Sequence, residues 1–451
     1  MTNNNQGLAR EIGLRDGVAI VAGTMIGSGI FLVPSAIATL VPSLAMVLLV
    51  WIFGAAVSLA AALVLSELGA MFPSAGGLYV YLREAYGPVV GFLYGWASLF
   101  AIDSAATAGV STAFGIYLGQ LIPLTSLQIK LCAIGIIVVL TTVNCLGVKF
   151  GKTIQNIFAT CKIVGIAGMA VLLFSKANLS QMRQSLWPQS AHTALAGFGV
   201  AVVAALWAYY GWHEVSYNAA EFRDPQRDLP RSLVLGTLIV TCAYLLANVA
   251  YYAVLSPAQV QASPRVAATA LQWIFGSSAA SVLAVMIMVS TFGAANGMIL
   301  TGPRIPFAMG KDGVFFHAAG RVNPKTQTPI VAIIIQGLWS SILCTVGTFQ
   351  QLITYAVFTV CIFFVLAAMA VMRLRKTRPD LHRPFRVPLY PLLPIVTLIA
   401  NAALVINTIV ADAKGSAIGI GMVLLGLPAY FVFRWKNGVA PPQVFETASE
   451  S

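Results

Sequence analysis

Two glycines flank a serine in the middle of the apolar stretch AGTMIGSGIF, which covers residues 22–31. Because backbone polar groups inside a bilayer must all find partners, a helix can unwind there only where protein or a water-filled cavity satisfies the freed groups. Unwinding at Gly27, Ser28 and Gly29 would leave amide hydrogens at the positive end of a half-helix, which favours an anion such as a carboxylate. The alternative is a small-residue stripe that lets two helices pack closely.

A second apolar stretch is interrupted in a similar way, at residues 206–221, LWAYYGWHEVSYNAAE. Tyr210, Gly211 and Trp212 break the apolar run, and Glu214 follows at a depth that disfavours charge. Transporters built from inverted repeats place discontinuous helices at corresponding positions in each half, so two breaks together indicate a binding site. Two readings of Glu214 stay open: proton handling or gating, and a carboxylate that neighbouring backbone donors satisfy.

Lys162, in QNIFATCKIVGIAG, is the most informative single charge. An ammonium deep in a bilayer costs at least ~3 kcal/mol, so a function or a strong pairing is the default expectation. It follows Lys152 by about 15 Å along a helix, which is too deep for easy escape to the surface. Snorkelling or a purely structural bridge is the alternative.

Two further acidic residues fall in apolar segments. We interpret Asp103 as lying near one end of the third span and facing the outer vestibule, and both a substrate role and a hydrated or hydrogen-bonded structural role stay open. Glu67 closes the second span, and we predict that it forms a structural network with arginines of the inner face.

The elements that must hold these residues are membrane helices. The chain has 451 residues, of which 59% are hydrophobic and only 9% are charged, so it could not cover itself with a polar surface in water. Windows of ~20 apolar residues, the length that a bilayer demands, predict twelve spans: 14–40, 44–70, 86–119, 128–147, 152–174, 194–219, 231–255, 277–302, 328–347, 351–373, 388–411 and 415–434.

Positive charge orients these spans, because lysine and arginine accumulate in cytoplasmic loops. Of the 26 basic residues, twenty fall on one predicted face and five on the other, and Lys162 lies within a span. This predicts an even number of spans with both termini in the cytoplasm, and it makes the net charge of +12 a topology signal rather than a sign of nucleic acid binding. The predicted parts are a tail at 1–13, one membrane domain at 14–434 and a tail at 435–451.

Other function classes find little support. The six cysteines, Cys132, Cys145, Cys161, Cys242, Cys344 and Cys361, lie in or beside apolar segments without metal-site or disulfide spacing. The four histidines are scattered, and no HExxH or paired aspartate motif is present, so an intramembrane enzyme is disfavoured. A channel would need repeated filter segments, which are also missing from the sequence. We predict no cofactor and no metal.

Three motifs in this order resemble the amino acid, polyamine and organocation transporter superfamily, within it bacterial relatives of the L-type amino acid transporters. They are GTMIGSGIF, WAYYGWHEV with EFRDPQRDLPRS, and FGAANGMILTGPRIPFAMGKDG. The resemblance runs from about residue 10 to 435. It implies an all-α fold of twelve spans, in which residues 14–174 and 194–373 form two inverted five-helix repeats with broken first and sixth helices, and 388–434 adds two helices.

The resemblance also implies site roles. The amides around Gly27, Ser28 and Gly29 would bind a substrate carboxylate, and backbone carbonyls would accept from the substrate ammonium near Met25, Trp207, Ala208 and Tyr210. Trp207 matches a bulky aromatic gate, with plain packing as the alternative, while Tyr210 is larger than the residue that relatives carry and would narrow the pocket. Lys162 would replace a sodium ion and hold carbonyls near Ala22 or Gly23.

These expectations combine into a sodium-independent transporter of neutral L-amino acids in the inner or plasma membrane, working by alternating access. Amino acid exchange is the favoured mode and proton symport is the alternative, with Lys162, Trp207 and Glu214 as gating or coupling residues. The loop GQLIPLTSLQ contains no cysteine, so we predict no disulfide-linked heavy subunit.

Overall fold

The computed structural model describes residues 7–41, 43–187, 191–263, 265–347 and 349–437. Residues 1–6 and 438–451 of the two predicted tails therefore lie outside the described residues. The described part is helical, and its one β-type contact is an isolated bridge between Ile12 and Phe222. The α-helices are α1 Leu14–Met25, α2 Gly29–Leu40, α3 Leu44–Met71, α4 Leu78–Tyr86, α5 Pro88–Ala97, α6 Asp103–Leu118, α7 Ser126–Cys145, α8 Val148–Phe174, α9 Leu179–Gln184, α10 Ala191–Ala208, α11 Pro225–Val254, α12 Pro257–Ala262, α13 Val266–Phe275, α14 Ala279–Thr301, α15 Arg304–Lys311, α16 Ile330–Val346, α17 Phe349–Thr377, α18 Leu392–Ala411, α19 Ala413–Leu424 and α20 Gly426–Lys436.

Nine helical stretches in the described chain are long and apolar enough to cross a membrane, and α16 is a shorter apolar helix. The count is lower than the twelve predicted spans partly because the first predicted span consists of two 12-residue helices. The sixth is an 18-residue helix, α10, followed by the 3-10 segment Trp212–Glu221. Many apolar side chains on these helices face outward, Val171 and Val410 among them, as expected of surfaces in contact with lipid.

Three of the helix interruptions lie near the residues that the sequence singled out. The first separates α1 from α2 at residues 26–28, and the second follows α10 at residues 209–211. Both fall where the sequence pattern predicted a break. The third, a π-helical turn at Ser98–Ile102 between α5 and α6, was not predicted. Single π-helical turns often mark functional positions in helices.

Helix α1 lies at the centre of the bundle, packed against α8, α11, α14 and the segment Trp212–Glu221. Small residues permit the close approach, since a Cβ atom on Gly236 of α11 would lie 2.5 Å from Val21 of α1. Around this centre, α11 packs against α3, and α6 packs against α14 and α17. The α1 break is therefore surrounded by protein on several sides.

Ion pairs tie the ends of helices together. Glu67, at the end of α3, accepts hydrogen bonds from Arg375 at 2.9 and 2.6 Å and lies 3.7 Å from Arg383. This confirms the predicted arginine network of Glu67. Arg304 of α15 forms a buried two-pronged pair with Glu221, at 2.5 and 3.0 Å.

Candidate functional site

The α1 break exposes both donors and acceptors of the backbone. Helix α1 ends where the amide of Ile26 donates to the carbonyl of Ala22 at 3.0 Å, and the Gly27 amide donates to Met25 at 2.9 Å. Within the described residues, the amides of Ser28 and Gly29 have no acceptor, because they begin the first turn of α2. The predicted anion donors thus reduce to Ser28 and Gly29 in this conformation, since the Gly27 amide is already used.

The sequence left two roles open for the glycines of this motif, namely unwinding of the helix and close packing of two helices, and the structure assigns different glycines to each. Added Cβ atoms would lie 2.0 Å from the Gln155 amide at Gly23 and 3.1 Å from Ala208 at Gly29, so these two glycines allow close packing. A Cβ atom at Gly27 would meet nothing within 4 Å. Gly27 therefore borders open space and is not needed for helix packing.

The two breaks are directly connected. The hydroxyl of Thr24 donates to the carbonyl of Gly211 at 3.0 Å. Gly211 has a φ of +110°, and a Cβ atom there would lie 2.9 Å from the backbone of Thr24, so glycine meets both a conformational and a spatial requirement. The hydroxyl of Tyr244 lies 3.0 Å from the carbonyls of both Met25 and Ala208 and can donate to either.

Sequence reasoning missed Tyr244. A tyrosine in an apolar helix gives no signal of its own, and the pairing becomes visible only when α11 is placed between the two breaks. Each break leaves a carbonyl without its helical partner, and the buried Tyr244 hydroxyl can donate a hydrogen bond to such a carbonyl.

Lys162 is 5% exposed, and its ammonium reaches across from α8 to the break. It donates to the carbonyl of Gly23 at 2.5 Å and to that of Ile26 at 2.8 Å. The Gly23 carbonyl was among the predicted acceptors of Lys162, and the Ile26 carbonyl was not. Ser290 of α14 also donates to Ile26, at 2.8 Å, and lies 3.2 Å from the carbonyl of Gly27. An ammonium and a hydroxyl thus hold the carbonyls on one side of the unwound segment.

A small cavity of about 50 Å³ lies on another side of the break. All seven residues predicted to bind substrate contribute to its lining: Met25, Gly27, Ser28, Gly29, Trp207, Ala208 and Tyr210. Helices α6, α14 and α17 supply the remaining wall, mostly with small and apolar side chains. Neither Lys162 nor Glu214 is part of the lining, and Lys162 would act on the cavity through the backbone carbonyls that it contacts.

A larger cavity of about 430 Å³ shares Trp207, Tyr210 and Val357 with the small one. Its other walls come from α2, α3, α10, α17, α18 and Trp212 and are mainly apolar. The rings of Trp207 and Tyr210 thus stand between a space of amino acid backbone size and a space that could hold an aromatic side chain.

Glu214 is buried, and one of its oxygens accepts a hydrogen bond from the Thr301 hydroxyl at 2.9 Å. The reading in which backbone donors satisfy this carboxyl is wrong, because the donor is a side chain and the other oxygen has no partner among the described residues. Asp103 lies at the middle of the stretch Pro88–Leu118 and is buried. Its predicted place near one end of that span, facing a vestibule, is also wrong, because the residue lies midway along the stretch and is 1% exposed.

The described residues contain no group of three His, Cys, Asp or Glu side chains that could hold a metal ion. All six cysteines lie in the described ranges and are free. The site offers backbone donors, backbone acceptors and a small, mainly apolar space, which suits a zwitterion.

The profile of the amino acid permease family matches residues 12–433. The chain belongs to this family. It is 31% identical to the b(0,+)-type amino acid transporter 1 of Rattus norvegicus, over 96% of this chain and 91% of that protein. It is 32% identical to the serine/threonine exchanger SteT of Bacillus subtilis, over 96% of this chain and 98% of that protein.

A third relative, the large neutral amino acids transporter small subunit 2 of Rattus norvegicus, is 29% identical over 98% of this chain and 84% of its own length. All three relatives are named as transporters or exchangers, and none as an enzyme. The chain is therefore a multi-pass membrane transporter of the amino acid permease family, as the sequence motifs predicted.

Proposed function

We propose that this permease is a sodium-independent exchanger of small neutral L-amino acids. The observation that carries the proposal is the contact of the Lys162 ammonium with the carbonyls of Gly23 and Ile26. A fixed ammonium at the break would replace a bound sodium ion, because it donates hydrogen bonds to carbonyls that the unwound helix leaves unpaired.

The substrate class follows from the cavity. The free amides of Ser28 and Gly29 suit a carboxylate, and the carbonyls of the two breaks suit an ammonium group. No charged side chain belongs to the described lining of the small cavity, so a neutral side chain fits best. The volume of about 50 Å³ and the ring of Tyr210 favour alanine or serine over leucine. A relative named as a serine/threonine exchanger supports the same choice.

The proposed architecture has twelve spans. Residues 14–174 and 194–373 would form inverted five-helix repeats, and 388–434 would add two helices. The protein would lie in the inner or plasma membrane, with both termini in the cytoplasm. Two broken stretches, each the first of its half, support the repeat, because inverted repeats place discontinuous helices at corresponding positions. The cysteine-free loop of residues 119–128 supports the absence of a disulfide-linked heavy subunit.

Proton symport is the second candidate, and the buried Glu214 with its unpartnered oxygen favours it. One experiment separates the two modes. The purified protein is placed in sodium-free proteoliposomes at equal pH on both sides, and uptake of labelled alanine, serine and leucine is followed into vesicles that are empty or loaded with unlabelled amino acid.

Exchange predicts uptake of alanine and serine only into loaded vesicles, with little uptake of leucine. Uptake that ignores the internal load and requires an inward proton gradient would replace exchange with symport. A requirement for sodium in either arrangement would contradict the role given to Lys162.

A further inference from the structure

A cluster of buried acidic and phenolic side chains contains Asp103 and Glu214, neither of which lines the small cavity. Asp103 and Glu214 are each 1% exposed, and their carboxyl groups are close enough to interact electrostatically. Tyr94 and Tyr217 join the cluster through a hydroxyl contact of 2.5 Å, and both interact with Asp103. Tyr210, which lines the small cavity, interacts with both carboxyls.

Each carboxyl is only half satisfied. One oxygen of Asp103 accepts from Ser98 and one oxygen of Glu214 accepts from Thr301. The remaining oxygens, Oδ1 of Asp103 and Oε1 of Glu214, are buried without a partner among the described residues. Unpartnered carboxylate oxygens in a buried site are costly, and two carboxylates in one site add mutual repulsion.

No basic side chain among the described residues pairs with Asp103 or Glu214 to offset the cost of burying their charges. In the part of the chain that the structure describes, neither carboxyl forms an ion pair with lysine or arginine, and Glu221 on the same 3-10 segment is paired with Arg304 instead. His213 is fully buried among aromatic rings, and neither of its nitrogens has a partner there, so a charged imidazole would itself be unsolvated.

The other titratable groups near the cluster are neutral types. Tyr81 of α4 lies near Tyr94, and Cys361 of α17 lies near Tyr210. Together with the three tyrosines and His213 already named, they are the titratable side chains that face the pair. None supplies a fixed positive charge, and the described residues offer no three-ligand group for a metal ion. A proton needs no further ligand, so it is the cation that best fits these two carboxyls.

We infer that Asp103 and Glu214 form a proton-binding pair, and that this conformation is reached only when the pair holds at least one proton. The inference rests on the proposed function in one respect, namely that transport cycles between this conformation and others. Asp103 belongs to α6, which packs with α14 and α17, whereas Glu214 belongs to the segment Trp212–Glu221, which packs with α1, α3, α11 and α14. A movement of α6 relative to the segment Trp212–Glu221 would separate the carboxyls, admit water and release the proton.

The direction of the pH effect follows. Where water reaches the carboxyls, alkaline solution removes the proton, and return to the buried arrangement then requires a proton to be taken up again. Exchange should therefore slow as pH rises, even with equal pH on both sides of the membrane. If one proton is required, the decrease approaches about tenfold per pH unit on the alkaline side.

The test measures alanine exchange in loaded, sodium-free proteoliposomes from about pH 6 to about pH 9, a range in which buried carboxyl groups can lose their protons. The double variant Asp103→Asn and Glu214→Gln keeps the shapes and removes both titrating groups. Asp380→Asn, a carboxyl-to-amide change at an exposed position, is the matched control. In weakly buffered detergent solution, a pH indicator dye also counts protons released or taken up when alanine binds to the unaltered protein.

We expect exchange by the unaltered protein and by Asp380→Asn to fall with rising pH, a flat profile for the double variant, and a measurable proton count on alanine binding. A flat profile for the unaltered protein together with a zero proton count would overturn the inference, and it needs no variant to fold. An alkaline fall that added sodium reverses would also overturn it, because the pair would then bind an alkali cation. Absence of exchange at every pH would instead refute the proposed function.

Discussion

Replacing Tyr210 by alanine should change the substrate range from small to aromatic amino acids. The ring of Tyr210 lines both the cavity of about 50 Å³ and the cavity of about 430 Å³. Its hydroxyl has no partner among the described residues, so the substitution removes bulk without breaking a hydrogen bond there. The truncation would join the two spaces beside the position proposed for the substrate side chain.

The expected magnitude comes from burial of an aromatic side chain in the larger, mainly apolar space. Complete burial of such a side chain contributes about 1.5 to 3 kcal/mol, which corresponds to a gain in affinity of roughly 10-fold to 150-fold. Affinity for alanine should change much less, because its methyl group does not reach beyond the ring. The measurement is inhibition of labelled serine exchange by phenylalanine and by alanine, compared as a ratio.

Tyr210→Phe is the matched control, since it keeps the ring and removes only the unpartnered hydroxyl. It should retain the selectivity of the unaltered protein. If phenylalanine inhibits the alanine variant no better than the unaltered protein, while serine exchange persists, the ring does not limit substrate size. Gain of phenylalanine inhibition in Tyr210→Phe would likewise contradict the steric argument.

Three further substitutions test other parts of the site. Lys162→Met should lower exchange at least about 100-fold, because two charge-assisted hydrogen bonds of about 1.5 to 3 kcal/mol each disappear; retained exchange in sodium-free vesicles would contradict the clamp. Tyr244→Phe should lower exchange by only about threefold to tenfold, since one hydrogen bond of about 1 kcal/mol is lost and the Thr24 contact remains; a loss as large as that of Lys162→Met would give Tyr244 a role beyond linking the breaks. Arg304→Met leaves Glu221 buried without its partner and should destabilise the fold by about 3 to 5 kcal/mol, seen as a lower melting temperature in detergent; an unchanged melting temperature would show that the pair is dispensable.

The sequence alone could identify the site residues whose types are unfavourable inside a membrane helix. Lys162 stands out because an ammonium at that depth needs a partner, and the glycines around Ser28 stand out because they weaken a helix where weakness is costly. The breaks at residues 26–28 and 209–211 and the contact with Gly23 follow from such violations. The substrate-binding roles of the cavity residues stay predictions until transport is measured.

Features that depend on helix placement could not be predicted in the same way. The partner of Glu67 is an arginine 308 positions away, and charge alone indicated a basic neighbour without indicating which one. The position of Asp103 was misread although residue 103 lies midway along the predicted span 86–119, and the π-helical turn before it was not predicted because such a turn has no sequence signature. Tyr244 could not be predicted because its role depends on the hydroxyl lying within hydrogen-bond distance of two carbonyls that belong to different breaks.

The unwound segment has two chemically different sides, and this difference accounts for the arrangement of the site. Unwinding frees amides at the start of α2 and carbonyls at the end of α1, and a zwitterionic substrate could satisfy only some of them at once. Lys162 and Ser290 hold the carbonyls of Ile26 and its neighbours on the side of α8 and α14. The amides of Ser28 and Gly29 remain free on the cavity side, where the proposed substrate carboxylate would bind. In the proposed cycle, the fixed ammonium keeps the carbonyls satisfied whether or not substrate is bound, so the break would persist without a bound metal ion.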